Sequence, residues 1–199
     1  LARIAREGHL LPNHSATHAY LGSSYDENRD ALLDQIRDVH EQIAPLMAKT
    51  DKFNFRAPYE AWHSAHARIL NADPELRTYV GPIYWDVGGE TAMSRDGYVM
   101  SAADWDCWHL GWFARACAKG YTREIRRRNG GVVLMHCINL HSAELVRQVV
   151  PALIEEGCRF VRLDQMPEYR QYETPEAKGV AQAGEKSLHL ATVTLGDIK

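Results

Sequence analysis

The chain has 199 residues, 45% of them hydrophobic and 25% charged, which suits one compact domain with a sizeable core and leaves little room for two. With 23 Lys and Arg against 26 Asp and Glu the formal charge is −3, and no basic run exceeds Arg126-Arg127-Arg128, so an electrostatic nucleic-acid footprint is not expected. No apolar run approaches the ~18 residues of a membrane span, so none is expected.

Leu1 to Gly8 begins with neither Met nor a signal peptide and reads as the last turns of a helix with Gly8 at its C-cap. The chain is therefore expected to be part of a longer protein. From Arg29 to Lys49 the apolar positions Leu32, Leu33, Ile36, Val39, Ile43, Leu46 and Met47 form one stripe at helical spacing, with Asp26 or Asn28 available as a cap. Phe53 to Tyr59 reads as a short strand ending in a Pro-containing turn, and Ala61 to Leu70 as a helix. Tyr79 to Val87 is rich in β-branched and aromatic residues and predicts a strand ending at Gly88-Gly89. Gly89 to Ala103 reads as a polar excursion, and Trp112 to Arg128 as a helix with basic residues in its last turn.

Val132 to Met135 is a four-residue apolar run after Gly130-Gly131, the pattern of a buried strand, with His136 at its C-terminal end. Ser142 to Glu156 has helical period and is stopped by Gly157. Arg159 to Leu163 predicts the next strand, and Leu188 to Leu195 a further one. Alternating strand, loop and helix predicts an α/β fold with a parallel sheet, in which catalytic groups gather at the C-terminal ends of the strands. The expected division is a domain over 1–170 and a C-terminal extension over 171–199.

Four short segments carry residue types suited to chemistry. His14 and His18 stand four residues apart, a spacing at which two imidazoles on one helical turn converge on a metal ion, although a catalytic zinc needs a third protein ligand. Arg56, Pro58 and Tyr59 end a strand in a rigid turn, where an Arg can orient a carboxylate and a backbone N–H can face an oxyanion. Asp104 beside Trp105 can hold a His and shape an apolar pocket, and His136 ends a buried strand behind Leu134. Among the ten histidines, His63 with His66 reads as a solvated helix face and His40 as a surface residue. Trp62, Trp85, Trp105, Trp108 and Trp112 are candidate exposed aromatics. The four cysteines form no C-x-x-C pair; Cys107 and Cys117 are either bridged in an oxidising compartment or buried as reduced thiols.

Taken in order, EGHLLPNHSATH, RAPY, ADW and GGVVLMH, followed by a helix and EEGCRFVRL, resemble the polysaccharide deacetylases of the NodB-homology class, carbohydrate esterase family 4, over about residues 1 to 165. The resemblance implies a distorted (β/α) barrel and a metal-dependent hydrolase that removes N-acetyl groups from an amino-sugar polymer of the peptidoglycan, chitin or poly-N-acetylglucosamine type. It implies a divalent metal, zinc above all, on His14 and His18. Arg56 would orient the catalytic base, and the Tyr59 N–H would stabilise the oxyanion. Asp104 would position His136, the general acid, while Trp105 and Leu134 wall the acetyl pocket. An extracytoplasmic location and an N-acetylated polysaccharide partner follow from the same resemblance.

The chain departs from the family pattern in lacking the strand that ends in two adjacent aspartates, one a ligand and the other the base. The expected explanation is that the barrel's first strands belong to a missing N-terminal segment with which this chain associates. The alternatives are a rearranged connectivity, in which Leu188 to Asp197 supplies one carboxylate, and a non-catalytic carbohydrate-binding relative. O-acetyl esterases share the motifs, so amide and ester substrates both remain open. Glu60 stands where the family has Gly after the Tyr, and Cys137 where an Asp often follows the His.

Overall fold

The computed structural model describes residues 1–48 and 52–166. They fall into two compact units, Leu1–Tyr84 with residues 162–166, and Trp85–Val161. The predicted strand over 188–195 and the extension over 171–199 lie outside the described residues.

In the first unit a short helix, α1 (Ala2–Arg6), precedes Gly8, whose φ of 85° ends it in the left-handed region as a C-terminal Gly does. Helix α2 (Arg29–Ile43) buries Leu32, Leu33, Ile36 and Ile43 from the predicted stripe, and the Asn28 side chain caps it by accepting from the Ala31 N–H at 3.2 Å. The α-helix does not continue to Lys49. Pro45 has no N–H to donate to the α ladder, and a single 3-10 turn, Ala44–Leu46, takes over. Helix α3 (Ser64–Ala72) packs against α2, and between them Leu21, Phe55, Trp62 and Leu76 complete an apolar core.

Three extended segments of this unit pair in parallel, Asn13 with Phe55 and Asn54 with Val80. The bonds run from Asn13 N to Asn54 O at 2.8 Å, Arg56 N to Asn13 O at 3.0 Å and Phe55 N to Val80 O at 2.9 Å. A buried polar thread fastens them. The Asn13 amide donates to the Ile36 carbonyl at 2.7 Å and to the Tyr79 hydroxyl at 3.1 Å, and that hydroxyl lies 3.1 Å from His40 Nδ1. Burial pushes the Tyr79 phenol up to about 12, with the Asn13 bond pulling the other way and Glu75 adding to the rise. His40 is therefore a buried partner of Tyr79 and not the surface residue expected.

In the second unit the predicted polar excursion contains a hairpin, β1 (Ala92–Met93) antiparallel to β2 (Val99–Ser101). A six-residue helix the sequence reading did not foresee, α4 (Asp104–His109), follows, then α5 (Ala114–Arg128) and α6 (Leu140–Glu155). A disulfide between Cys107 and Cys117 joins α4 to α5. Gly120 lets β2 lie on α5, because a Cβ there would come within 2.8 Å of Val99 Cγ1 and 2.7 Å of Ala102 Cβ. That contact offsets the ~1 kcal/mol a mid-helix Gly costs. Val87 pairs in parallel with Val133, and Val87, Cys107, Cys117, Tyr121, Ile125, Leu145, Val149 and Leu153 form the core.

The architecture is thus mixed helix and sheet, and β1 and β2 are the two full strands among the described residues. The parallel pairing expected of an α/β sheet is present only as isolated bridges, so a complete barrel is not formed there. The reason lies in the segments themselves. Pro58 and Pro82 lack the N–H a ladder needs, so pairing around Phe55 and Val80 stops after one or two residues. Residues 159–162 form no strand, and a 3-10 turn, Leu163–Gln165, follows. No helix among the described residues is long and apolar enough to cross a membrane.

Candidate functional site

The first unit brings together His14, His18, Arg56, Pro58 and Tyr59. His14 directly follows Asn13, whose backbone is paired to Phe55, so its ring lies against the Arg56 main chain. His14 Nδ1 sits 2.7 Å from the Arg56 carbonyl oxygen. A carbonyl only accepts, so Nδ1 carries the proton and Nε2 presents its lone pair. The Arg56 Nη2 lies 3.3 Å from that Nε2. The rings of His14 and His18 meet edge to face at 4.9 Å, and His18 meets Tyr59 in the same way at 4.9 Å.

Pro58 is buried and opens a 3-10 turn in which Tyr59 (φ 56°) and Glu60 (φ 57°) are both left-handed. For residues with a Cβ that conformation costs ~1–2 kcal/mol each, so the turn is held by its surroundings. It leaves the Tyr59 side chain 65% exposed. A Gly at position 60 would carry no such strain.

The donor set meets a metal part way. His14 has the tautomer of a metal ligand, with its second nitrogen held by a carbonyl, and His18 is adjacent. Among the described residues, however, no third His, Cys, Asp or Glu gathers with them into a ligand group. Two imidazoles fall one short of the three protein ligands of a catalytic zinc.

The second unit brings together Asp104 and His136. The Asp104 side chain is fully buried in the first turn of α4. Its Oδ1 accepts from His136 Nδ1 at 2.8 Å and from the Trp105 N–H at 3.0 Å. Its Oδ2 accepts from the His136 N–H at 2.7 Å and from the Ser142 hydroxyl at 2.6 Å. A buried carboxylate is stable only when so satisfied. It fixes both backbone and ring of His136, leaving Nε2 on a side chain that is 28% exposed.

Two further residues complete this network. Trp108 Nε1 donates to the Ser142 hydroxyl at 3.1 Å, and the Trp108 ring meets the His136 ring edge-on at 5.7 Å. Trp105, the expected wall of the pocket, is instead partly exposed beside His109. Leu134 is buried, and its carbonyl accepts from the Tyr121 hydroxyl. Trp108 was readable in principle, since it stands four residues after Asp104 and shares its helix face. Ser142 gave no such signal.

A third group was read wrongly from sequence. His63 and His66 are not a solvated face: the His66 side chain has no exposed surface, and both rings stack at 4.9 Å against a common partner, Asp26. Burial lowers the His66 pKa below its ordinary value; Asp26 and the Gly22 carbonyl oppose this and His63 adds to it. Asp26, His63 and His66 form a group that could hold a metal ion. No protein-family model matches this chain, and no curated protein matches it.

Proposed function

We propose that the chain belongs to a hydrolase of the polysaccharide-deacetylase kind, removing N-acetyl groups from an amino-sugar polymer outside the cytoplasm. The observation that carries this reading is the Asp104–His136 pair. A fully buried carboxylate accepts from both the Nδ1–H and the backbone N–H of an imidazole at a segment end, and Ser142 and Trp108 brace it. An imidazole held in that way keeps one tautomer and one orientation, the condition for a general acid that protonates a departing amine. An amide is cleaved only if that poor leaving group receives a proton.

In the first unit His14 and His18 serve as the two imidazole ligands of a divalent ion, zinc in this reading, which when bound polarises an acyl carbonyl. The Arg56 main-chain carbonyl holds the His14 ring, its guanidinium, 3.3 Å from Nε2, turns aside when an ion takes that lone pair, and the left-handed turn at Tyr59 presents a backbone N–H suited to an oxyanion.

A second reading rests on a specific observation, the lack of a third ligand beside His14 and His18 among the described residues. It is a carbohydrate-binding relative that uses exposed aromatics such as Tyr20, Tyr59 and Trp105 without turnover. Acetate release from N-acetylglucosamine oligomers and from an O-acetylated polysaccharide separates the readings. The proposed enzyme releases acetate, and His136→Ala lowers the rate about 10²–10⁴-fold, the range of a lost general acid. Binding of the oligomers without any acetate release would favour the second reading. An unchanged rate in the variant would remove His136 from the role.

A further inference from the structure

We propose that Asp26, His63 and His66 form a binding site for a divalent transition-metal ion of the zinc class, which ties the turn after Ser23–Tyr25 to the N-terminus of α3. The site shares no residue with the His14–His18 pair and does not depend on the hydrolase reading.

The three side chains place their ligand atoms within reach of one ion. Asp26 Oδ1 lies 3.0 Å from His63 Nδ1 and 2.9 Å from His66 Nε2, and the three ligand atoms are all within 4.8 Å of one another. An ion bonded tetrahedrally at ~2.0–2.1 Å sets neighbouring ligand atoms about 3.3 Å apart, so the two Asp26 contacts open by a few tenths of an ångström and one of the two stacked imidazoles tilts out of its parallel arrangement to admit it. Two imidazoles and one carboxylate, with no thiolate, suit zinc, cobalt, nickel or copper better than magnesium or calcium. His63 and Asp26 are 43% and 29% exposed, which leaves a route of entry and room for water as a further ligand.

His66 Nε2 is fully buried and faces Asp26 Oδ1 at 2.9 Å, with the Gly22 carbonyl also acting on the ring. Loading has a defined cost. His66 Nδ1 accepts from the His63 backbone N–H at 3.1 Å, so its ring proton sits on Nε2. An ion on Nε2 needs that proton on Nδ1, which gives up the hydrogen bond at the start of α3. One hydrogen bond corresponds to about a five- to tenfold loss of affinity, small beside what three ligands provide.

The test is a titration of the chelator-stripped full chain with Co²⁺ as a visible probe, followed by competition with Zn²⁺. The unmodified chain and a double His14→Ala, His18→Ala variant should both give the tetrahedral Co²⁺ spectrum. Asp26→Asn and His63→Gln should each weaken it at least tenfold. Loading should also speed hydrogen exchange at the His63 amide. His63 is partly exposed, so its variant stays informative if Asp26→Asn fails to fold. Absence of binding up to millimolar Co²⁺, binding lost only in the double variant, or undiminished binding in His63→Gln would each overturn the proposal.

Discussion

Removing one oxygen atom from Tyr121 isolates the contribution of a buried hydroxyl that joins two parts of the second unit. The side chain has no exposed surface; its hydroxyl donates to the Leu134 carbonyl at 2.9 Å and accepts from the Asp104 N–H at 3.1 Å. The Asp104 N–H is the first of α4, one of the donors a helix cannot satisfy internally. Tyr121→Phe keeps the ring and its apolar contacts, but leaves that donor and a buried carbonyl unpaired. Each of the two buried groups left without a partner costs ~1–2 kcal/mol, so the expected loss is about 2–4 kcal/mol. At ~2–4 °C per kcal/mol for a chain of this length, Tm should fall by about 5–15 °C. Burial first, and then the charges of Asp104 and Glu124, hold the phenol well above its ordinary pKa, against the pull of the Asp104 N–H bond. It stays protonated, so the loss should be the same from about pH 6 to 9. Urea unfolding followed by circular dichroism measures it, with the exposed Tyr98→Phe as a control expected within ~0.5 kcal/mol of the unmodified chain. A loss for Tyr121→Phe no larger than that of the control would refute the reasoning.

Acid should weaken the first unit through Asp73, a buried carboxylate at the end of α3. Burial would raise its pKa, but the N–H groups of Leu76 and Glu75 and the guanidinium groups of Arg37 and Arg29 outweigh this and hold it below the ordinary carboxylate range. A folded pKa below the unfolded one means that the contribution is whole above about pH 4 and is lost as pH falls through the folded value. Asp73→Ala should remove ~1–3 kcal/mol at pH 7 and flatten the acid limb of the stability curve; an unchanged limb would exclude Asp73 as its source. Glu60→Gly relieves a left-handed residue worth ~1–2 kcal/mol at the cost of ~0.5–1 kcal/mol of chain entropy, so Tm should rise slightly or hold; a clear fall would show that the Glu60 side chain supports the turn.

What was legible in the sequence was what repeats locally. The apolar period of α2, the Asn28 cap and the Gly8 stop depend on neighbours a turn away, and the structure contains all three. Helix α4 was not legible because six residues are too few for a period to emerge, and its start depends on the Tyr121 hydroxyl from another helix. The hairpin β1–β2 was hidden for a similar reason: its strands have two and three residues, too short for alternation to stand out in a polar stretch. The continuous parallel strands were over-read: the apolar runs at 79–87 and 132–135 meet in parallel only at the bridge of Val87 with Val133, and Pro82 and Gly130-Gly131 limit how far pairing extends.

Buried charge shows where that boundary falls for the candidate sites. Glu124 is almost fully buried, and its ion-pair partners Arg127 and Arg128 stand three and four residues later on α5, so those pairs follow from helical spacing, with the Gly88 N–H at 3.4 Å as an added long-range donor. Asp104 is as deeply buried, but apart from the adjacent Trp105 N–H its donors come from His136 and Ser142, 32 and 38 residues away. Asp26 meets His63 across 37 residues. Nothing local dictates those pairings. Their cost can be met only once the whole fold has brought the partners together, because a carboxylate removed from water without donors costs several kcal/mol. The Asp104–His136 pair and the Asp26 group have in common a carboxylate held across a long stretch of chain by imidazoles, whereas the structural carboxylates Glu124 and Asp73 take arginines as their charged partners. Those two groups sit where the chain commits charge that local structure does not require, and function is accordingly sought there.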